Sequence, residues 1–559
     1  MMDQAVANPV DGRTDRSVDL IIRGGTVVDG TGQPRRLADV AVAGDRIVAV
    51  TAPGELSAAS RELDATGKIV CPGFIDIHTH SDVSLLSAPA APSAVRQGTT
   101  TQIVGNCGLG VYPTPPGEGE PARLRQAVAY LDVDPTLDWE AYASAADYFE
   151  ALDEAGTAIN VGSLVGQLPL HTSVVGYGDA VPNADQLQRM CELLDRALSQ
   201  GALGLSTGLV YAPLTMVGRQ ELHALAAVVK KHDGLFAWHA RDYGDNLLDA
   251  VDEVLEVARA TGVRTQISHL VTVGARNFGK VGPVWRKIEQ ANAEGCDISA
   301  DLYPYLAGNC PLSQLLPTWV FADGIDRAHA HLTDPKSRER IDTEFYASMP
   351  NTWDEVVVSR LPASATVEYR EQLGRSIDEV ATDTGRPAAE VALDLLAEFG
   401  HEVICTISGR SADDLVAVLT HPRGLVASDG QSLDPDGPTG QGVPHPRSYG
   451  CFVRLLTDFC ELGEPGPGRA TPVLTLEEAV AKCTAVPAAR IGLTDRGRLL
   501  PGQAADVVVI DPSTLRDTAT YSAPHSHPTG IDAVLVNGRQ VVGPDADVRE
   551  LPGRLLLSS

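Results

Sequence analysis

Two periods of apolar residues divide the chain. Between residues 69 and 430, short runs rich in Val, Ile and Leu alternate with longer stretches whose apolar positions recur every three or four residues. Eight short runs stand out, at 69–77, 99–107, 159–168, 202–208, 234–240, 264–270, 296–305 and 424–430. The longer stretches include 184–201, 219–234 and 246–262, each closed by a glycine after its last apolar residue, as amphipathic helices commonly end. Eight strands separated by helices predict an α/β fold, a (β/α)8 TIM-type barrel. Residues 18–51, 497–511 and 530–542 read differently, as short strands punctuated by Gly-Gly, Asp-Gly, Pro-Gly and Asn-Gly turns. They predict a small β-sandwich built from both chain termini.

Two stretches break the barrel rhythm. Residues 109–127 form a Pro/Gly-rich loop, and about 306–400 is far longer than one crossover helix requires. The second stretch predicts an inserted subdomain near the barrel mouth, with helices near 335–348 and 386–399. The expected boundaries are 1–66 for the first part of the sandwich, 67–490 for the barrel and 491–559 for the second part.

Composition narrows the class. Apolar residues make up 43% of the 559 and charged residues 21%, enough for a large core in an ordinary globular enzyme. Lys and Arg number 44 against 73 Asp and Glu, a net charge of −29 that would repel nucleic acid and anionic membrane surfaces but not a small-molecule substrate. Nine cysteines without a Cys-x-x-Cys spacing argue against a disulfide framework or a zinc ribbon. The first twenty residues lack an apolar segment and no run of about 18 apolar residues follows, so neither signal peptide nor membrane span is expected and a cytoplasmic location is. Oligomeric state is left open.

The candidate chemistry collects at strand ends, where barrel active sites sit. The first strand delivers His78 and His80 with one residue between them, which in an extended segment share a face. Strand two ends in Gly105-Asn106-Cys107-Gly108, strand five in His239, strand six in His269 and strand eight in Asp429. Singly, Cys107 reads as a buried small hydrophobe and Asp429 as a helix cap. Together they make a ring of metal-ligand types with one further carboxylate.

At these residues the chain resembles a known family. Gly-Phe-Ile-Asp-Ile-His-Thr-His (73–80), the terminal sandwich and the late Asp are similar to the amidohydrolase superfamily. Gly-Asn-Cys-Gly, GALGLSTGLVYAP (201–213), HARDYGD (239–245), DLYPY (301–305), ASDG (427–430), HPRSYG (445–450) and RIGLTDRGRLLPGQAADVVVID (490–511) resemble the D-aminoacylase, or N-acyl-D-amino-acid deacylase, family, over nearly the whole chain. The resemblance implies zinc held tightly by Cys107, His239 and His269, a second, weaker site at His78 and His80, Asp429 as general base, and Tyr211, Tyr303 and Arg447 near the substrate. Three protein ligands with an open position for water suit a catalytic zinc. The implied reaction is hydrolysis of an N-acyl-D-amino acid to a carboxylate and a D-amino acid.

The chain also departs from that family. His269 is followed by Leu270 and Val271 where the family has His and a carboxylate-binding Lys; Gln167 stands where a histidine is usual, and Tyr243 where Glu is common. A changed pocket leaves room for another amide, a cyclic amide, a carbamate or an ester lacking the usual free carboxylate. A non-catalytic metal-containing binding protein is the alternative from another class, and the Asp429 carboxylate argues against it.

Overall fold

The eight apolar runs become parallel strands: β1 (Phe74–Asp76), β2 (Thr99–Val104), β3 (Asn160–Ser163, continued by Val165–Gly166), β4 (Gly204–Gly208), β5 (Leu235–His239), β6 (Arg264–Ile267), β7 (Ile298–Leu302) and β8 (Gly424–Val426). Each pairs with the next in parallel register. The circle closes just beyond β1 and β8, where Thr79 bridges Gly430, Asp429 N–H donates to His78 O at 2.9 Å and His80 N–H donates to Gly430 O at 2.8 Å. The His-x-His pair therefore does not lie on a regular strand, as the alternation argument has it. It lies in the seam that joins the first strand to the last.

The computed structural model describes residues 18–558 except 132, 135, 138–141, 179–180, 461, 463–471, 545 and 547–549. Residues 1–17 of the expected sandwich segment lie outside the described residues. Among the described residues, no helix is long and apolar enough to cross a membrane.

Barrel helices start and stop where their termini are satisfied. Asn183 and Gln186 form a capping box at the head of the helix Ala184–Ser199, whose Met190, Leu194 and Leu198 are buried. Gly262, at φ +67°, ends the helix Leu247–Thr261 in the left-handed conformation that favours glycine. Burying each such Leu stabilises the barrel by about 2 kcal/mol.

The termini meet in one sheet. Leu20–Val27, Arg36–Ala43, Arg46–Thr51, Arg61–Asp64 and Ile69–Pro72 join Val507–Ile510, Ile531–Val536 and Arg539–Val542, with Val70 opposite Val509 as the junction. The sheet curls until Ile47 N–H donates to Gln503 O and Gly502 N–H donates to Ile47 O, enclosing a core that includes Ile22, Val40, Val507 and Leu535. This is the small β-sandwich. Gly73 then passes the chain into β1; a Cβ there would collide with Thr100.

Between β7 and β8 lies a unit with its own core. Strands Gly308–Pro311, Ile404–Ile407 and Val356–Arg360 form an antiparallel sheet, packed with Ile377–Thr384 and Ala388–Phe399 around Val358, Val380, Leu393 and Leu396. Its strand Ile404–Ile407 comes after position 400, where loop length alone ended the insertion. The segment near 335–348 is a relay of short turns, an α-helix Pro335–Arg340 followed by π and 3-10 pieces, rather than one helix.

Candidate metal centre

Strand ends bring together what the sequence scatters. His78 Nε2 lies 3.2 Å from Cys107 Sγ and 3.2 Å from Asp429 Oδ1; His269 Nε2 lies 3.4 Å from the same sulfur. His80 Nε2 is 2.9 Å from Asp429 Oδ1. His239 stacks edge-on against His269 with ring centroids 4.4 Å apart. All six side chains are buried.

The backbone contributes as much as the pattern. Cys107, His269 and Asp429 have φ of +55°, +34° and +51°, a left-handed region that non-glycine residues seldom adopt and that costs on the order of 1 kcal/mol each. Each turns sharply after its strand, and the three side chains converge.

Asp301, at the end of β7, fixes the ring from behind. Its Oδ1 accepts from His269 N–H at 2.8 Å and lies 3.1 Å from His78 Nδ1, while Oδ2 accepts from Gln266 Nε2 at 3.0 Å. A carboxylate on Nδ1 leaves His78 Nε2 for the sulfur, the arrangement that orients metal-binding imidazoles. In the sequence Asp301 stands at a strand end, inside DLYPY, with no local signal of this role.

The electrostatics follow from burial and charge. Burial would raise the Asp429 carboxyl, but Arg447, His78 and His269 outweigh it and hold it well below the usual carboxylate range. Burial opposes charging His78, and Cys107, Asp301 and Asp429 overcome it, raising its pKa. Burial pushes Cys107 up to about 11, against the pull of His78, and pushes His239 down to about 3.

These residues fit a divalent metal. Donor atoms of His78, Cys107, His269 and Asp429 lie within 4.8 Å of one another. Both ring nitrogens of His239 are buried with no hydrogen-bond partner, as is His80 Nδ1. Thiolate, imidazole and carboxylate are the ligand types zinc takes, and a nearby cation favours the thiolate that burial alone disfavours. The tightest geometric group pairs Cys107 and His269 with His78 and Asp429, whereas the family resemblance pairs them with His239.

A cavity of about 120 Å³ opens beside the ring, sized for a small molecule. Tyr211 and Tyr303 line it, with His239 and Asp429. Arg447, expected to reach a substrate carboxylate from the 431–449 loop, instead begins the helix Arg447–Asp458 and is 1% exposed. It forms an ion pair with Asp429 Oδ2 at 2.7 Å, donates to Tyr130 OH at 3.0 Å and lies 4.5 Å from the Tyr303 ring centre.

Two cavity residues had no signal in the sequence. Tyr130 comes from the long excursion after β2 and packs edge-on against His80 at 5.0 Å. Arg410 follows the insertion's strand Ile404–Ile407 and donates through Nη1 to Tyr303 OH.

Comparison with known proteins places this geometry. A model of an amidohydrolase family matches residues 61–358 and 419–542. The chain is 36% identical to the N-acyl-D-glutamate deacylase of Alcaligenes xylosoxydans xylosoxydans, with 96% of each chain covered. It is 32% identical to the D-aminoacylase of the same organism, over 96% of this chain and 97% of that one. The crystal structure of N-acyl-D-glutamate deacylase from Bordetella bronchiseptica, complexed with zinc and a phosphonate inhibitor that mimics the tetrahedral intermediate, superimposes with a TM-score of 0.81 at 32% identity, covering 97% of this chain and all of that one. With the family model, the sequence identity and the fold in agreement over nearly the whole chain, the chain belongs to the amidohydrolase family.

Proposed function

We propose that this protein is a zinc-dependent hydrolase that cleaves the amide bond of N-acyl-D-amino acids, releasing a carboxylate and a D-amino acid. One observation carries the reading: Cys107, His80, His239 and His269 line one small cavity together with a deprotonated Asp429, and His78 lies against Cys107 and Asp429 behind them. The N-acyl-D-amino-acid substrate is taken from the relatives, one named an N-acyl-D-glutamate deacylase and one a D-aminoacylase.

Cys107, His239 and His269 would hold the zinc tightly, and His78 with His80 a second ion more weakly. Bound there, zinc would polarise the scissile carbonyl and acidify water. Asp429 would take a proton from the attacking water and pass it to the departing nitrogen, a poor leaving group without it. Arg447 keeps the Asp429 carboxylate ionised and aimed, as a positioning residue. Tyr303 and Tyr211 present hydroxyls and ring faces to the bound acyl amino acid.

A second reading is favoured by Val271, which lines the cavity beside His269 and gives that wall no charge. It has the enzyme act on amides without a free carboxylate. The deciding assay supplies zinc-loaded protein with N-acetyl-D-leucine, N-acetyl-L-leucine and N-acetyl-D-leucinamide. Hydrolysis of the D-acid in preference to the other two is the expected result; faster turnover of the amide would install the second reading.

A further inference from the structure

At the end of the barrel opposite the metal centre, a cleft of about 420 Å³ opens against the beginnings of β7 and β8, a size typical of small-molecule sites. It shares no lining residue with the catalytic cavity. Ser299, near the start of β7, and Arg423, just before β8, form one wall; Ala485, Val486 and Arg490 of the helix Ala485–Arg490 form another. Both parts of the sandwich complete it, through Gly30 and Thr31 on one side and Arg498 and Leu500 on the other. Gly30, at φ +80°, makes that approach possible: a Cβ there would collide with Gly497 O.

The cleft is basic in an acidic chain. Arg423, Arg490 and Arg498 line it and, among the described residues, no Asp or Glu does, although the net charge of the chain is −29. Arg423 and Arg490 share one carboxylate outside the lining, Asp297, at 2.8 and 2.6 Å, and Arg264 crowds the same carboxylate at 3.6 Å. Burial lowers the Arg490 pKa against the pull of Asp297, and repulsion from Arg264 and Arg423 adds to the lowering. Positive charge here is short of a counterion. Arg490 already donates through Nη2 to Thr265 O at 2.7 Å, so it offers the cleft charge rather than free donors. Arg498 offers both, having no hydrogen-bond or ion-pair partner among the described residues. Ser299 adds a second free group: it is 1% exposed, yet its hydroxyl has no partner among the described residues.

We propose that this cleft is a binding site for an aliphatic monocarboxylate, with the carboxylate on Arg498 in the field of Arg423 and Arg490 and the chain laid on Ala485, Val486 and Leu500. The inference stands apart from the deacylase reading, since no residue of the catalytic cavity takes part. A planar guanidinium gives a carboxylate two parallel N–H bonds, and the Ser299 hydroxyl is a further donor. Each methylene that leaves water for the apolar wall favours a chain over a bare anion. A compact anion such as inorganic phosphate would gain the charge and forgo that contact. A cation carrying the same chain would be repelled.

The test is calorimetric titration of zinc-loaded wild type, Arg498→Gln and Ala489→Asp with octanoate, acetate, inorganic phosphate and octylamine. Arg498 and Ala489 are exposed lining residues, so neither change disturbs the core, and Ala489→Asp sets a like charge against the ligand. Octanoate should bind wild type at least about tenfold more tightly than acetate or phosphate, and octylamine should not bind. Each substitution should weaken octanoate binding at least about tenfold, with the melting curve and zinc content unchanged. Absence of octanoate binding in wild type, equal affinity in all three proteins, octylamine bound as well as octanoate, or phosphate bound more tightly would overturn the proposal. The readout is binding, so an enzyme that fails to hydrolyse N-acyl-D-amino acids would sink the deacylase reading and leave this result standing on its own.

Discussion

The rim of the barrel and the inserted unit beside it contribute to one cavity in opposite ways. The rim supplies His239 from the end of β5 and Cys107, His269 and Asp429 from just beyond the ends of β2, β6 and β8. The insertion supplies Arg410 from a loop on a three-stranded sheet with its own core. The metal-ligand side chains thus come from the closed barrel, and part of the cavity wall that faces them comes from the insertion. An insertion can be remodelled without disturbing the strand register on which the ligands depend.

The largest effect that could break this comparison is on the metal. Cys107→Ala should lose the tightly held zinc and with it essentially all hydrolysis, whereas replacing both His78 and His80 by Asn should leave about one zinc per chain. Metal analysis of the purified variants checks the ranking, and the reverse pattern would move the principal site to the seam histidines. Next, Asp429→Asn should lower kcat by about 10²–10⁴ while zinc stays bound. A near-normal rate would remove this carboxylate from proton transfer.

The insertion's part is sharpened by loosening its core. Leu396→Ala should cost about 2–5 kcal/mol of the inserted unit's stability, raise KM and leave zinc content unchanged. Equal loss of metal would show that rim and insertion unfold as one. The smallest effect concerns a segment outside both. Asp517 accepts from Tyr305 OH at 3.3 Å and lies 3.7 Å from Arg454; burial, outweighing Arg454, pushes its pKa up to about 6. Its folded value lies above its unfolded one, so it binds a proton more readily when folded, and its contribution to stability falls as pH rises from about 4 through 6. Relative to Asp517→Asn, wild type should lose on the order of 1–3 kcal/mol over that window in urea unfolding, with metal content flat.

Much of the rim was legible in the chain because each ligand ends an apolar run, and a run's end is a place in space once eight runs form a barrel. Cys107 and His269 were found this way although their left-handed φ was not foreseeable, since sterics disfavour it for any residue but glycine. Arg447 was legible at the site, but a spacing after His-Pro does not reveal that Asp429 lies 2.7 Å from its Nη1. Tyr130 and Arg410 were not legible, because each is carried in by a long excursion whose path depends on packing rather than on local period. Asp301 stood in plain view at the end of β7, and its role became visible only with His78 and His269 N–H against it.

The seam between β1 and β8 has a consequence for how the molecule comes apart. His80 and Asp429 are separated by 349 positions along the chain, yet they meet across the join that turns an open sheet into a closed circle. An ion shared by ligands on both sides of that join would act as a buckle on a belt of strands, linking cofactor affinity to closure of the barrel. Demetallation should then quicken hydrogen exchange first at Thr79 and Gly430, while the far side of the barrel, around β4 and β5, stays protected.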